Sequence, residues 1–135
     1  MVFVLEASVA TTWAFDVESH PVADAARNLI AVGSAIVPSL WWYEVRNAAL
    51  VGERRGRLKL SDTAYFLAQL ADLPIVADSD VDEAIAFRMA RQHNLTFYDA
   101  SYLALAYSRD VPLATLDRAL IAAAPHENVE LVAAR

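Results

Sequence analysis

Short apolar runs, too brief to be helices, alternate with longer stretches of helical periodicity along the whole chain. That alternation restricts the folds open to it. "VFVL" at 2–5, "AIVP" at 35–38, "PIV" at 74–76, "PLAT" at 112–115 and "VELV" at 129–132 each read as a short strand. Between them, "SVATTWAFD" gives a short helix that Ser8 is placed to cap, and "PVADAARNLIAV" opens on Pro21 and stops near Gly33. "LWWYEVRNAALVGERRG" is a long helix, and Ser61 is placed to cap "DTAYFLAQLADL". Asp80 and Glu83 open a helix in capping-box style, with Val81, Ile85 and Met89 down one face and Asn94 at its end. Further helices follow Asp99 and Asp117. Strands joined through helices pair in parallel, and such a sheet needs cover on both faces. The expectation is an α/β fold in three layers, with a mostly parallel central sheet of four to five strands, in a single domain over residues 1–135.

Apolar residues make up 57% of the chain, enough for a packed core. The longest uncharged stretch, Asn28 to Tyr43, is broken by Gly33, Ser34, Pro38 and Ser39 and is shorter than the ~20 residues a membrane span needs. The N-terminus meets Glu6 almost at once, without the basic lead-in of a signal peptide. With no cysteine, thiolate metal sites and cysteine nucleophiles are excluded, and a reducing, cytoplasmic setting is expected. A net charge of −6 argues against a general nucleic-acid binder. It leaves open an enzyme whose carboxylates hold divalent cations. The one basic block, Arg54, Arg55, Arg57 and Lys59, suits either a solvated helix end or contact with phosphate.

In parallel α/β sheets, sites gather outside the carboxyl ends of the strands. Glu6 falls at the end of the first strand and Asp117 at the matching end of "PLAT". Each has a simpler reading as a helix cap or a charge near a helix N-terminus, and so does Asp99 in "FYDASYLALA". Glu44 is harder to explain that way. It shares a helix face with Leu40, Asn47, Ala48 and Val51, and Arg46 lies round the other side. A carboxylate there needs a partner or it protonates. Asn47 can donate one hydrogen bond, and a metal ion would satisfy it better. Residues two apart in a strand share a face, which pairs Glu6 with Ser8 and Asp117 with Thr115. Each strand tip would then offer a carboxylate beside a hydroxyl.

"VLEASVA", "VPSLWWYEVRNAAL", "FYDASYLALA" and "PLATLD" occur in this order, and together they resemble the motifs of PIN-domain ribonucleases of the VapC toxin type. The resemblance spans nearly the whole chain. It implies a PIN-like fold and an acidic site for Mg²⁺ or Mn²⁺, with Glu44, Asp99 and Asp117 matching the site carboxylates and Glu6 standing where an Asp is usual. A further acidic residue carried by some members just after the last Asp is absent, since this chain reads Arg118, Ala119 and Leu120. The resemblance also implies an RNA substrate, a homodimer and a VapB-type antitoxin whose C-terminal segment lies across or near the acidic site.

The residue types suit that chemistry. A hard divalent ion on clustered oxygens activates water and shields charge on a phosphodiester, so no protein nucleophile is needed. His20, His93 and His126 are scattered in polar contexts and read as surface residues. Phospho-accepting receiver domains and haloacid-dehalogenase-like phosphatases also carry a carboxylate after the first strand. They use an Asp nucleophile and a later Lys, whereas this chain has Glu6 and a single lysine, Lys59, in a turn. The alternative within the PIN class is a protein that binds RNA or an antitoxin without efficient cleavage. The extra methylene of Glu6 moves its carboxylate by about 1.5 Å, and Mg²⁺ tolerates little departure from octahedral geometry. Adjacent Trp41, Trp42 and Tyr43 point about 100° apart round one helix. They are either covered within the domain or form a surface for a second copy or a partner helix.

Overall fold

A computed structural model of the chain describes residues 1–15 and 20–133. Four strands form the sheet: β1 (Val2–Leu5), β2 (Ser34–Val37), β3 (Ile75–Ala77) and β4 (Leu113–Ala114). Their order is β3-β2-β1-β4 and every pairing is parallel. β1 is central, with Val4 opposite Ile36 on one side and Leu113 on the other. Phe3, Val4 and Leu5 are all fully buried. Since consecutive strand residues face opposite ways, both faces of β1 are covered. The expected fifth strand reduces to one parallel bridge between Leu131 and Leu113.

Among the described residues seven helices connect and flank the strands: α1 (Ala7–Thr12), α2 (Pro21–Val32), α3 (Leu40–Arg54), α4 (Leu60–Ala71), α5 (Glu83–His93), α6 (Phe97–Arg109) and α7 (Arg118–Ala123). α6 packs on β1 and β4, and its residues Ala100 to Ala106 are all buried. The alanines there let the helix backbone approach the sheet, while Leu103 and Leu105 fill the core between them. Gly33 follows α2 because β1 runs beside it. A Cβ at that position would collide with the Met1 carbonyl oxygen, which accepts the Ser34 N–H. Among the described residues no helix is long and apolar enough to cross a membrane.

Helix ends differ from the sequence expectation in a consistent way. Glu6, not Ser8, caps α1, and its side chain accepts the Ser8 N–H. The end of that expected helix, Asp16, lies outside the described residues. α4 begins at Leu60 after Lys59, whose N–H bonds Asp62, so Ser61 lies inside the first turn. Asp82, not Asp80, caps α5. Thr96 caps α6, which leaves Asp99 inside the first turn with its carboxylate free of capping. In each region the N-cap is the residue whose backbone is held extended before the helix, whatever capping-type residues lie nearby. Asn94 ends α5 in the left-handed conformation, as its sequence position suggests.

His93 is not a surface residue. Its Nε2 lies 2.6 Å from Glu127 Oε2, and Arg88 donates to both Glu127 oxygens at 3.0 and 3.1 Å. The Arg88 hydrogen bonds, with help from His93, hold the Glu127 carboxyl below the usual carboxylate range. The cluster pins the 3-10 turn Ala124–Glu127 to α5 across more than 30 residues of sequence, a separation that hid it from local reading. We predict that Glu127→Gln costs about 1–3 kcal/mol at pH 7. Because Glu127 is more acidic in the folded state, its contribution is full above about pH 4.5 and fades as pH falls through the lowered value. Denaturation midpoints of the two proteins should therefore converge between pH 5 and pH 3. A gap that stays constant over that range would rule out the ion pairs as its source.

Candidate active site

β1 and β4 end side by side, and a buried hydrogen-bond knot joins their tips. The Glu6 N–H donates to the Ala114 carbonyl at 3.0 Å. The Glu6 side chain, 6% exposed, accepts the Ser8 N–H on Oε2 at 2.7 Å. Its Oε1 accepts the hydroxyls of Ser8, at 2.7 Å, and Thr115, at 2.6 Å. Each hydroxyl also accepts a backbone N–H from the turn after β4. Leu116 donates to Ser8 at 2.9 Å and Asp117 to Thr115 at 3.0 Å. Both expected hydroxyls are therefore at the strand tips, but both serve Glu6. β4 ends at Ala114, so strand alternation stops before Asp117, which caps α7 by accepting the Leu120 N–H at 3.0 Å.

Glu44 enters from α3 and Asp99 from the first turn of α6. Tyr102, fully buried and three residues beyond Asp99, donates its hydroxyl to Glu44 Oε1 at 2.5 Å. Asn47, the partner expected from sequence, is exposed and makes no such bond. The missed signal was a single hydroxyl within the otherwise apolar run "YLALA". The carboxyl of Glu44 is pushed above its ordinary range, first by burial and further by the charges of Glu6 and Asp99, while the Tyr102 hydrogen bond opposes the shift. Asp99 is pushed up in the same way, by burial and then by the charges of Asp117 and Glu6. These mutual repulsions tie Glu6, Glu44, Asp99 and Asp117 into one electrostatic unit.

The donor set is all oxygen, from carboxylates and hydroxyls, and in kind it fits a hard divalent cation rather than a soft or imidazole-seeking metal. Among the described residues no group of three or more His, Cys, Asp or Glu is arranged to hold a metal ion as it stands. Three of the four carboxylates accept hydrogen bonds from the protein itself: Glu6 from its hydroxyls, Asp117 from the Leu120 amide and Glu44 from Tyr102.

Unneutralised carboxylates with raised proton affinity cost stability once ionised. The folded chain then binds protons more tightly than the unfolded one, so stability falls as pH rises from about 4 through the raised values. In chelator at pH 7, Glu44→Gln and Asp99→Asn should each raise Tm by roughly 2–5 °C, and the advantage should vanish near pH 4. A fall in Tm for both variants at pH 7 would contradict the repulsion.

A PIN domain family model matches residues 3–126. The chain is 37% identical over 81 residues to Exonuclease VapC9 of Pyrobaculum aerophilum, a match that covers 59% of each protein. It is 41% identical over 81 residues to Ribonuclease VapC1 of Mycobacterium tuberculosis, covering 56% of this chain and 61% of that one. The matched stretch thus spans about three fifths of each curated relative. The crystal structure of PAE2754 from Pyrobaculum aerophilum superposes with a TM-score of 0.71 at 26% identity, over 91% of this chain and 84% of the other. With a parallel α/β sheet, four acidic residues gathered at its strand ends and a family match across most of its length, the chain belongs to the PIN-domain family.

Proposed function

We propose that this protein is a metal-dependent endoribonuclease of the VapC type, the toxin of a toxin–antitoxin pair. The observation that carries the reading is the convergence of Glu44 and Asp99, both with raised proton affinity, on Glu6 and Asp117 at the carboxyl ends of β1 and β4. Repulsion of this kind is an unfavourable arrangement unless a cation relieves it. Glu44, Asp99 and Asp117 would supply most of the oxygens for Mg²⁺ or Mn²⁺, with Glu6 as the fourth carboxylate. When bound, the ion supplies an activated water and shields the phosphodiester oxygens during hydrolysis.

The chain's own residues set the geometry. Ser8 and Thr115 hold Glu6 and, through Leu116 and Asp117, the turn that carries Asp117. The exposed turn with Arg54, Arg55 and Lys59 offers cations to an RNA backbone. On α3, exposed Trp42 and Tyr43 meet edge to face, with the Arg46 guanidinium 3.7 Å over the Trp42 ring. Trp41, by contrast, is buried in the core. The exposed pair supports a surface for a second copy or for a VapB-type antitoxin acting on the acidic site. A cytoplasmic setting belongs to the same reading.

The rival PIN-class reading, binding without efficient cleavage, draws on Glu6, whose oxygens are taken up by three donors. RNA cleavage in Mg²⁺ or Mn²⁺ by the native chain, Glu6→Asp and Asp99→Asn separates the two. The nuclease reading expects measurable cleavage by the native chain, faster cleavage by Glu6→Asp and a loss of about 10²-fold or more in Asp99→Asn. It fails if none of the three cleaves, or if Asp99→Asn cleaves normally. Stoichiometric ion binding should also raise Tm in the native chain. An equal rise in a Glu44→Gln, Asp99→Asn double variant would place the ion elsewhere.

A further inference from the structure

We infer that Tyr102 is a positioning residue for the acidic site: its hydroxyl fixes the Glu44 carboxylate by occupying Oε1 and leaving Oε2 to face a cation. The inference rests on the metal-dependent reading above and adds to it a residue outside the carboxylate set.

Tyr102 is fully buried inside α6, and its ring is locked by packing. Its hydroxyl is the one polar group within the buried run Tyr102 to Ala106, so it needs partners there. It donates to Glu44 Oε1 at 2.5 Å. That bond joins the α3 carboxylate to the α6 turn that carries Asp99. Asp99 and Tyr102 are three residues apart on α6, so the turn that presents one carboxylate also aims another.

Among the described residues Glu44 Oε2 has no hydrogen-bond partner. A neutral donor suits this role, because it restrains the carboxylate without cancelling its charge as Arg or Lys would. A phenol is a neutral donor at physiological pH. Small divalent ions demand accurate ligand placement, and second partners of ligands commonly change metal affinity by 10–100-fold.

The test is Tyr102→Phe, which keeps the ring and removes the hydroxyl. Mn²⁺ affinity, read by electron paramagnetic resonance or calorimetry without RNA, should fall by about tenfold or more. The cleavage rate at saturating Mn²⁺ should fall by about 10²-fold, with KM for RNA unchanged. In a Glu44→Gln background the same substitution should change Mn²⁺ affinity less than twofold, since the carboxylate it positions is gone. Unchanged affinity in Tyr102→Phe, alongside normal binding and cleavage by the native chain, overturns the inference and leaves the nuclease reading intact. An equal loss in both backgrounds also overturns it, because Tyr102 would then act through packing. A native chain that neither binds Mn²⁺ nor cleaves RNA removes both.

Should Tyr102→Phe not fold, the native chain labelled with 3-fluorotyrosine answers the question. Tyr102 is the tyrosine shielded from a soluble paramagnetic agent, since Tyr43, Tyr65, Tyr98 and Tyr107 are exposed. Its fluorine resonance should shift during Mg²⁺ titration and saturate at the same concentration as binding. A resonance that stays fixed through saturation contradicts the inference.

Discussion

Glu6 accepts three hydrogen bonds from two residues, and those bonds register the tips of β1 and β4 against each other. They reinforce a two-residue β4 that is otherwise joined to β1 through Val4 against Leu113, Leu5 against Ala114 and the Val4 and Glu6 amides on the Pro112 and Ala114 carbonyls. Through Ser8 and Thr115 the same carboxylate orders the Leu116 and Asp117 amides, and so sets where α7 begins. A buried carboxylate is costly unless its oxygens are satisfied, and here each one is met by a short donor. This requirement explains why one hydroxyl residue stands two positions after Glu6 and another directly after β4. It also gives Glu6 a structural task that does not depend on its serving as an ion ligand.

The other carboxylates are left under tension. Glu44 has one neutral donor, Asp99 has a helix start that another residue already caps, and each sits in the field of its neighbours. A fold selected for stability alone would replace them with amides. Their mutual repulsion near the carboxyl ends of parallel strands, where α/β sheets place their sites, is the observation on which the proposed cation-dependent function rests. That no described group is arranged to hold an ion as it stands is compatible with this, since four like charges have no reason to close up until something positive stands between them.

Much of this was legible in the sequence. The parallel α/β architecture followed from apolar runs alternating with helical patterns. Strand ends singled out Glu6 and Asp117 and apolar surroundings singled out Glu44, while Asp99 joined them only through the resemblance to PIN-domain ribonucleases. Ser8 and Thr115 were legible as residues but not in their connections, because which carboxylate Thr115 serves depends on a contact across 109 positions. Helix caps were misplaced by two or three residues, because the loop geometry that selects the capping position is not written in the residue types beside it. Tyr102 and the cluster of Arg88, His93 and Glu127 were hidden for a longer-range reason. A tyrosine in an apolar helix, or a histidine near a helix end, shows its partner only when elements distant in sequence are brought together.

The central claim is that one hard cation resolves the repulsion among these carboxylates. Its most direct test is a crystal grown with Mn²⁺ and measured for anomalous scattering at the manganese edge. The account predicts a single strong peak between β1 and β4 with oxygens of Glu44, Asp99 and Asp117 at about 2.0–2.3 Å, as hard-cation ligation requires. No peak there at saturating Mn²⁺, or a peak bound only to surface carboxylates, would contradict it.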